Sequence, residues 1–397
     1  MSSHEPNAVS SCIILVMKIL VALTYYRPHV SGLTIYVERL AKALVARGHQ
    51  VTVLTSRYER TLPREEIREG VRVLRVPVVL RVSKGVIMPT IGLVATREVL
   101  RHDVLSLHLP QLDAAGIALR GRLFGKPTVL TYHCDLQLPS GWINLLANWV
   151  VDRANHAAAR LAHPIVTYTE DYAIHSPFLS RYLTKVRVIS PPVEVPAASP
   201  EAVRAFAEKY RLNGHKVIGT GLRLAAEKGV EYLLEALPAI LAEHPETRVL
   251  FAGPYRNVLG EQAYARRLAP LLEKFKDRWT FLGVLNAEEM AAFYANCDVT
   301  VLPSINSTES FGLVQIESMI CGTPVVASNL PGVRQPTRMT GMGLTVPPRD
   351  PHALARAISE VLVRRSDYLR PPDPIVEQFS PRATAEKYEQ LFEELRA

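Results

Sequence analysis

From Lys18 onward, short runs of apolar, often β-branched residues alternate with longer stretches whose apolar positions recur every three or four residues. The run "KILVAL" gives way to "LTIYVERLAKALVARG" and then to "HQVTVLT". In the middle segment Leu33, Val37, Leu40, Ala41 and Leu44 follow the helical period, and Gly48 stops it. "VRVLRVPV", "DVLSLHL", "KPTVLTYH" and "HPIVTY" repeat the strand pattern, each bounded by Gly, Pro or Asp. Strands that are apolar along their whole length have neither face in water, so they predict a parallel sheet covered by helices on both sides.

After "ISPPVEVPAASPEA", whose proline and alanine content marks a linker near residues 190–202, the alternation begins again. "HKVIGTG", "TRVLFAG", "WTFLGV", "DVTVLPS" and "TPVVAS" are the strands, with helices expected near 228–243, 260–276, 287–296 and 313–321. The fold class is therefore α/β, as two doubly wound domains, residues 17–190 and 191–380, facing across a cleft at their strand ends. Residues 381–397 form a final helix that either domain can claim, with packing back on the N-terminal domain as one option.

A length of 397 residues with 48% hydrophobic and 21% charged content suffices for two cores. The apolar stretch "CIILVMKILVAL" is broken by Lys18, is too short to span a bilayer, and carries no basic flank or cleavage site, which predicts a cytoplasmic protein. Met17-Lys18-Ile19 resembles a natural start, so residues 1–16 read as an unstructured or mis-assigned extension. Cys12, Cys134, Cys297 and Cys321 have no C-x-x-C spacing and read as reduced thiols. The formal net charge of +8 divides unevenly: residues 1–190 carry +10 and residues 191–397 carry −2. That asymmetry suggests an anionic partner for the first half. "RVPVVLRVSKGVIMPT" and "ALRGRLFGKP" interleave Arg75, Arg81, Lys84, Arg120, Arg122 and Lys126 with apolar residues, as membrane-docking segments do. No aromatic stacking platform or groove-reading helix accompanies them, which sets nucleic acid aside.

The chemistry concentrates in three places. In "STESFGLVQIESMICGTPVV", Glu309 and Glu317 bracket a turn at Gly312 that runs into a helix, and the N–H groups of about Phe311 to Leu313 form an anion site at the helix start. Glu309 lies at the strand end facing the cleft, whereas Glu317 shares the core face of Leu313, Ile316 and Ile320 and needs a hydroxyl or cation partner. In "GTGLRLAAEKG", Arg223 and Lys228 straddle a strand-to-helix turn and can both reach a diphosphate. Neither a full dinucleotide fingerprint nor a G-x-x-x-x-G-K-[ST] loop is present, which removes the main support for dehydrogenase and ATPase readings. In the first domain, Ser31-Gly32 forms a turn after the first strand, and "TYHCD" puts His133 and Asp135 just past another. A lone histidine at a strand end is more often a hydrogen-bonded structural residue than a ligand contact.

These segments, "EKG", "ESFGLVQIESMICGTPVVAS" and the "SG…L…L…RGHQVTVLT" opening, resemble the retaining glycosyltransferases of family four, glycosyl transferases group one, with the GT-B fold of two Rossmann-like domains. The likeness runs in order from about residue 17 to 395 and is most specific at the paired glutamates and their CGTPVVAS continuation. It implies a donor nucleotide sugar, UDP- or GDP-linked, in the C-terminal domain. Arg223 and Lys228 would hold the diphosphate and Glu317 the ribose hydroxyls, while Glu309 and the backbone of Phe311, Gly312 and Leu313 would face the transferred sugar. Gly32 would approach the sugar-phosphate, and His133 would contact the sugar from the other domain. Glu309, His133, Arg223 and Lys228 form the expected catalytic set, and Asp135 is placed on the acceptor side. The resemblance further implies retention by front-face attack with no general base. No Asp-x-Asp occurs, so transfer without a metal or other cofactor is expected. The acceptor is expected to be lipid-linked, a lipid or a glycan precursor, with the protein peripheral on the inner face of the cell membrane. An epimerase or phosphorylase on the same architecture, or a non-catalytic nucleotide-sugar-binding subunit, are the alternatives. The chain departs from the family at Ser31, where glycine is frequent, at Leu222, where glycine often precedes the diphosphate arginine, and at Arg334-Gln335, where a glutamate is frequent.

Overall fold

The computed structural model describes residues 16–82, 85–135, 142–258 and 260–397; Cys12, Lys84 and the extension before Val16 lie outside them. The strands are β1 (Lys18–Ala22), β2 (Gln50–Arg57), β3 (Glu65–Arg68), β4 (Val71–Pro77), β5 (Leu80–Val82), β6 (Gly85–Ile87), β7 (Val104–Leu109), β8 (Thr128–Tyr132), β9 (Ile165–Thr167) and β10 (Val186–Val188). Past the linker come β11 (Val217–Gly221), β12 (Arg248–Ala252), β13 (Trp279–Gly283), β14 (Val299–Leu302), β15 (Val325–Ser328) and β16 (Gly343–Val346). The first sheet has the order β10-β9-β8-β7-β1-β2-β4-β3 and the second β13-β12-β11-β14-β15-β16, while β5 and β6 pair only with each other. Every pairing in the two large sheets is parallel except that of β3 with β4 at the edge.

Alternation along β1 shows why both faces had to be apolar. Ile19 and Val21 pack with Val37, Leu40 and Leu44 of the helix Gly32–Ala46. Leu20 and Ala22 face the opposite layer, where the helices Ile91–Arg101 and Ala114–Leu123 contribute Ala95, Val99, Ile117 and Ala118.

The last helix, Pro381–Arg396, crosses back to the first domain. Its Tyr388 and Phe392 are fully buried. The Tyr388 hydroxyl lies 2.9 Å from that of Tyr36 and 2.7 Å from Thr131 Oγ1, and Glu389 meets His49 at 3.1 Å and the Arg47 guanidinium. Tyr388→Phe removes the shared partner of two buried hydroxyls and is expected to lower unfolding stability by about 1–3 kcal/mol, read from the midpoint shift in urea.

Candidate active site

Two tight turns bring the second domain's charged groups together. A short 3-10 turn, Ala226–Lys228, ends at Gly229, whose φ of 62° is left-handed and whose Cβ, were there one, would lie 2.2 Å from the Pro303 carbonyl. The Ile305 N–H donates to the Glu227 carbonyl at 3.1 Å, stitching this turn to the loop that follows β14. Lys228 Nζ consequently meets Glu309 Oε2 at 2.5 Å, with both side chains mostly buried. Arg223 is nearer solvent and pairs with Glu227. Gly312 caps the helix Leu313–Ile320 at φ 79°, and a Cβ there would strike Leu302 Cδ2 at 2.3 Å. Phe311 is buried against Tyr168 and Phe379, so the turn before the helix is anchored by its aromatic ring while Glu309 stays on the cleft side.

Glu317 has the two kinds of partner its position required. Its Oε2 accepts from the Tyr294 hydroxyl at 3.1 Å and its Oε1 from Arg39 at 3.0 Å. The fully buried positions of its helix are Gln315, Ile316, Ser318 and Met319, and the expected Leu313 and Ile320, half-buried, pack against the same core as Ile316. Arg39 belongs to the first domain and also donates to the Glu194 carbonyl of the linker at 2.8 Å. Sequence reasoning missed Arg39 and Tyr294, because a polar residue on an amphipathic helix reads as solvated until its long-range partner is known.

On the first domain's side, Ser31 caps the helix at Gly32 by accepting from the Thr34 N–H at 3.2 Å. Apart from its chain neighbours and its own helix backbone, nothing lies within 4 Å of where a Gly32 Cβ would stand, so open space adjoins this turn. The departure at Ser31 thus supplies a helix cap, and Leu222 is likewise accommodated as a buried core side chain. His133 is buried with both ring nitrogens engaged: Nε2 lies 2.9 Å from His108 Nδ1, and Nδ1 bonds the Tyr168 hydroxyl. Burial, with His108 beside it, holds His133 well below its ordinary pKa, and burial alone takes His108 down to about 3, so both rings are neutral. The group that His133 turns to the Glu309 loop is its carbonyl, which accepts from the Ser310 hydroxyl. The sugar contact expected of His133 therefore has no unengaged ring nitrogen to use.

Asp135 is buried rather than presented to an acceptor. Its Oδ1 accepts from the hydroxyls of Tyr132 at 2.9 Å and Ser176 at 2.6 Å, and its N–H donates to Tyr172 at 2.8 Å. Its role in the fold is to tie the turn after β8 to the segment beyond β9. Between the two domains, burial raises the Cys134 thiol to about 12, helped by Glu309 and Asp135 and opposed by Lys228 and Arg223. The same proximity appears at His29, pushed below its ordinary value by burial and then by Arg223. Arg223, Lys228 and Glu309 thus face the turns after β1 and β8 across the cleft.

Residues 204–371 match the family described as Glycosyl transferases group 1, and residues 31–192 match the Glycosyl transferase 4-like domain. The D-inositol 3-phosphate glycosyltransferase of Acidothermus cellulolyticus is 30% identical over 83% of this chain and 78% of its own. The chain belongs to the group 1 glycosyltransferases. Glycogen synthase of Mycobacterium tuberculosis is 29% identical over 87% of this chain and 86% of its own. Among solved structures, Anabaena HepE in complex with UDP-glucose aligns with a TM-score of 0.76 at 19% identity, covering 95% of this chain and 100% of that one. Sucrose-phosphate synthase from Thermosynechococcus elongatus aligns at 0.72 with 22% identity, covering 96% and 99%. The two facing sheets are those of a GT-B fold.

In this glycosyltransferase the Arg334 departure has a structural partner. Its guanidinium grips Asp171 of the first domain, with Nε 2.9 Å from Oδ2 and a second bond to Oδ1, and the Gly332 N–H adds a contact at 2.8 Å. Burial works to raise the Asp171 pKa, yet these bonds hold it down to about 2 from an ordinary 3.8. The pair's stabilisation is therefore present above about pH 4 and lost as pH falls toward 2. The melting-temperature difference between wild type and Asp171→Asn is expected to be constant from neutrality to about pH 4 and to shrink below it; a flat difference down to pH 2.5 would contradict the pairing.

A further interdomain tie runs through Tyr172. Its hydroxyl donates to the Ser307 carbonyl at 3.0 Å, two residues before Glu309. The loop that carries Glu309 is therefore bonded to the first domain at Ser307 and Ser310, so its conformation depends on how the domains meet.

Proposed function

We propose that this glycosyltransferase moves a hexosyl group from a UDP- or GDP-sugar to a hydroxyl of an acceptor, with retention of anomeric configuration and without a metal ion. The observation that carries the reading is the Lys228–Glu309 pair at 2.5 Å, held beside the Gly312 helix start and opposite the open turn at Gly32. HepE, a structural neighbour, was solved in complex with UDP-glucose, which supports a nucleotide sugar as donor.

In this reading the bond between the sugar C1 and the diphosphate oxygen breaks and the oxygen keeps the electron pair. Lys228, Arg223 and the N–H groups of Phe311 to Leu313 neutralise the charge that develops there. Lysine has three donors, so Lys228 serves a phosphate oxygen and Glu309 together. Glu309 accepts from sugar hydroxyls, and Glu317 binds the ribose, with Tyr294 and Arg39 orienting its carboxylate. The acceptor oxygen bonds C1 from the face the diphosphate leaves, and its proton passes to a leaving phosphate oxygen. We place the acceptor among lipid-linked, lipid or glycan-precursor alcohols at the inner face of the cell membrane. We propose that this association is peripheral; no helix among the described residues is long and apolar enough to cross a membrane.

A panel of nucleotide sugars tests this. A true donor raises the melting temperature by mass action, is hydrolysed slowly without acceptor, and gives product of unchanged anomeric configuration by proton NMR, all unaffected by EDTA. Inverted product would overturn retention, and an EDTA-sensitive rate would overturn metal independence.

A further inference from the structure

Three helices lie side by side over the first sheet: Ile91–Arg101, Ala114–Leu123 and Trp142–Leu161. Each turns large apolar side chains outward, on the first two at helical spacing. On the first, Leu93 is 78% exposed and Leu100 is also exposed, interleaved with exposed Arg97 and Arg101. On the second, Leu119 and Leu123, the latter 69% exposed, flank Arg122. On the third, Trp149 is 58% exposed, with the Arg153 guanidinium 5.9 Å from its ring centroid. Asp152 is the one exposed carboxylate among the described residues of these helices. Isolated exposed leucines are ordinary, but two adjacent helices repeating one leucine-and-arginine pattern, beside a third that adds Trp149 and Arg153, form an apolar face set in positive charge.

The sequence-level docking segments are only partly used here. Arg75 is buried in an ion pair with Glu66, so it belongs to the fold and not to a surface. Arg120 bonds Thr96 and the Gly116 carbonyl within the helical layer.

We infer that this three-helix face docks on an anionic lipid bilayer. The charge decides the occupant. A second copy of the chain in a two-fold contact would set Arg97, Arg101, Arg122 and Arg153 against themselves, whereas acidic headgroups complement them and the leucines and Trp149 enter the acyl boundary. The face also reaches the cleft. The β5–β6 hairpin leaves the C-terminal end of β4, the same sheet edge that carries Gly32 and His133, and exposes Val79, Leu80 and Ile87 before the chain enters the first of the three helices. A bilayer lying on the helices meets that rim, so a lipid-borne acceptor reaches the cleft without leaving the membrane. This placement rests on the membrane-borne acceptor proposed above.

The test is sedimentation with phosphatidylcholine vesicles with and without phosphatidylglycerol, at low and high salt, using wild type, the combined variant Leu93→Glu/Leu123→Glu/Trp149→Glu, and Arg97→Gln/Arg122→Gln/Arg153→Gln. Wild type is expected to bind the anionic vesicles and to lose binding in salt, and each triple variant to bind at least about tenfold more weakly with an unchanged melting temperature. Wild type that ignores anionic vesicles, or variants that bind as well as wild type, would overturn the inference. So would a wild-type dimer that the glutamate variant splits, with no vesicle binding by either. Nucleotide-sugar hydrolysis is followed on the same samples. Its absence from wild type counts against the proposed reaction alone, whereas intact hydrolysis with no vesicle binding counts against the docking face alone.

Discussion

Lys228→Ala is expected to lower kcat for sugar transfer about a hundredfold or more, by removing a preorganised cation where the diphosphate gains charge. The side chain is mostly buried, fixed at its root by the Gly229 turn and at its tip by Glu309, so its charge is weakly screened and costs little reorganisation during reaction. Arg223→Ala is expected to do less, because that guanidinium is about half exposed and already leans on Glu227. The sequence treated the two cations as equals; their burial separates them. Steady-state kinetics with one donor checks this: kcat and kcat/KM should fall together for Lys228→Ala. A rise in KM with kcat unchanged would mean that Lys228 only holds the ground state.

Glu309→Gln is expected to reduce transfer by roughly two to three orders of magnitude while nucleotide-sugar binding survives. The amide keeps the shape of the side chain and loses both its charge and its full acceptor capacity, so the ion pair with Lys228 goes and the sugar hydroxyls lose an anionic acceptor. Binding is retained because Arg223, Lys228 and the helix start still meet the diphosphate. Calorimetry with the intact donor and a single-turnover assay separate the two effects. Wild-type turnover in the variant would remove Glu309 from the chemistry.

The order of these effects depends on the loop that bears Glu309. Its bonds to the first domain at Ser307 and Ser310, the Asp171–Arg334 pair and the Arg39–Glu317 pair all join the domains on or beside that loop. Substitution at Tyr172 or Asp171 would therefore act on transfer through the loop's position, with little change in donor chemistry itself.

What was legible in the chain was local. Apolar runs without alternation announced β1, β7, β8, β11, β14 and β15, and helical spacing announced the segment after Gly32. Gly312 marked its turn, and the requirement that Glu317 find a hydroxyl or cation followed from its place on the helix's core face. The turns carrying Arg223, Lys228, Glu309, Gly32 and His133 could be assigned to strand ends because parallel strands all point one way.

Which groups met there was decided only by folding. Arg39 and Glu317 are 278 residues apart, Asp171 and Arg334 163, and Tyr36 and Tyr388 352. Periodicity reports which side of an element faces the interior, but not which distant side chain waits there. That is why the engagement of both His133 nitrogens by His108 and Tyr168 could not be read from the chain, why Arg75 read as surface until Glu66 was beside it, and why the last helix had no assigned domain until Tyr388 entered the first domain's core. Local chemistry determines what each segment can do; the packing of sheets and helices, driven by burying their apolar faces, determines which of those capacities remain open to a ligand.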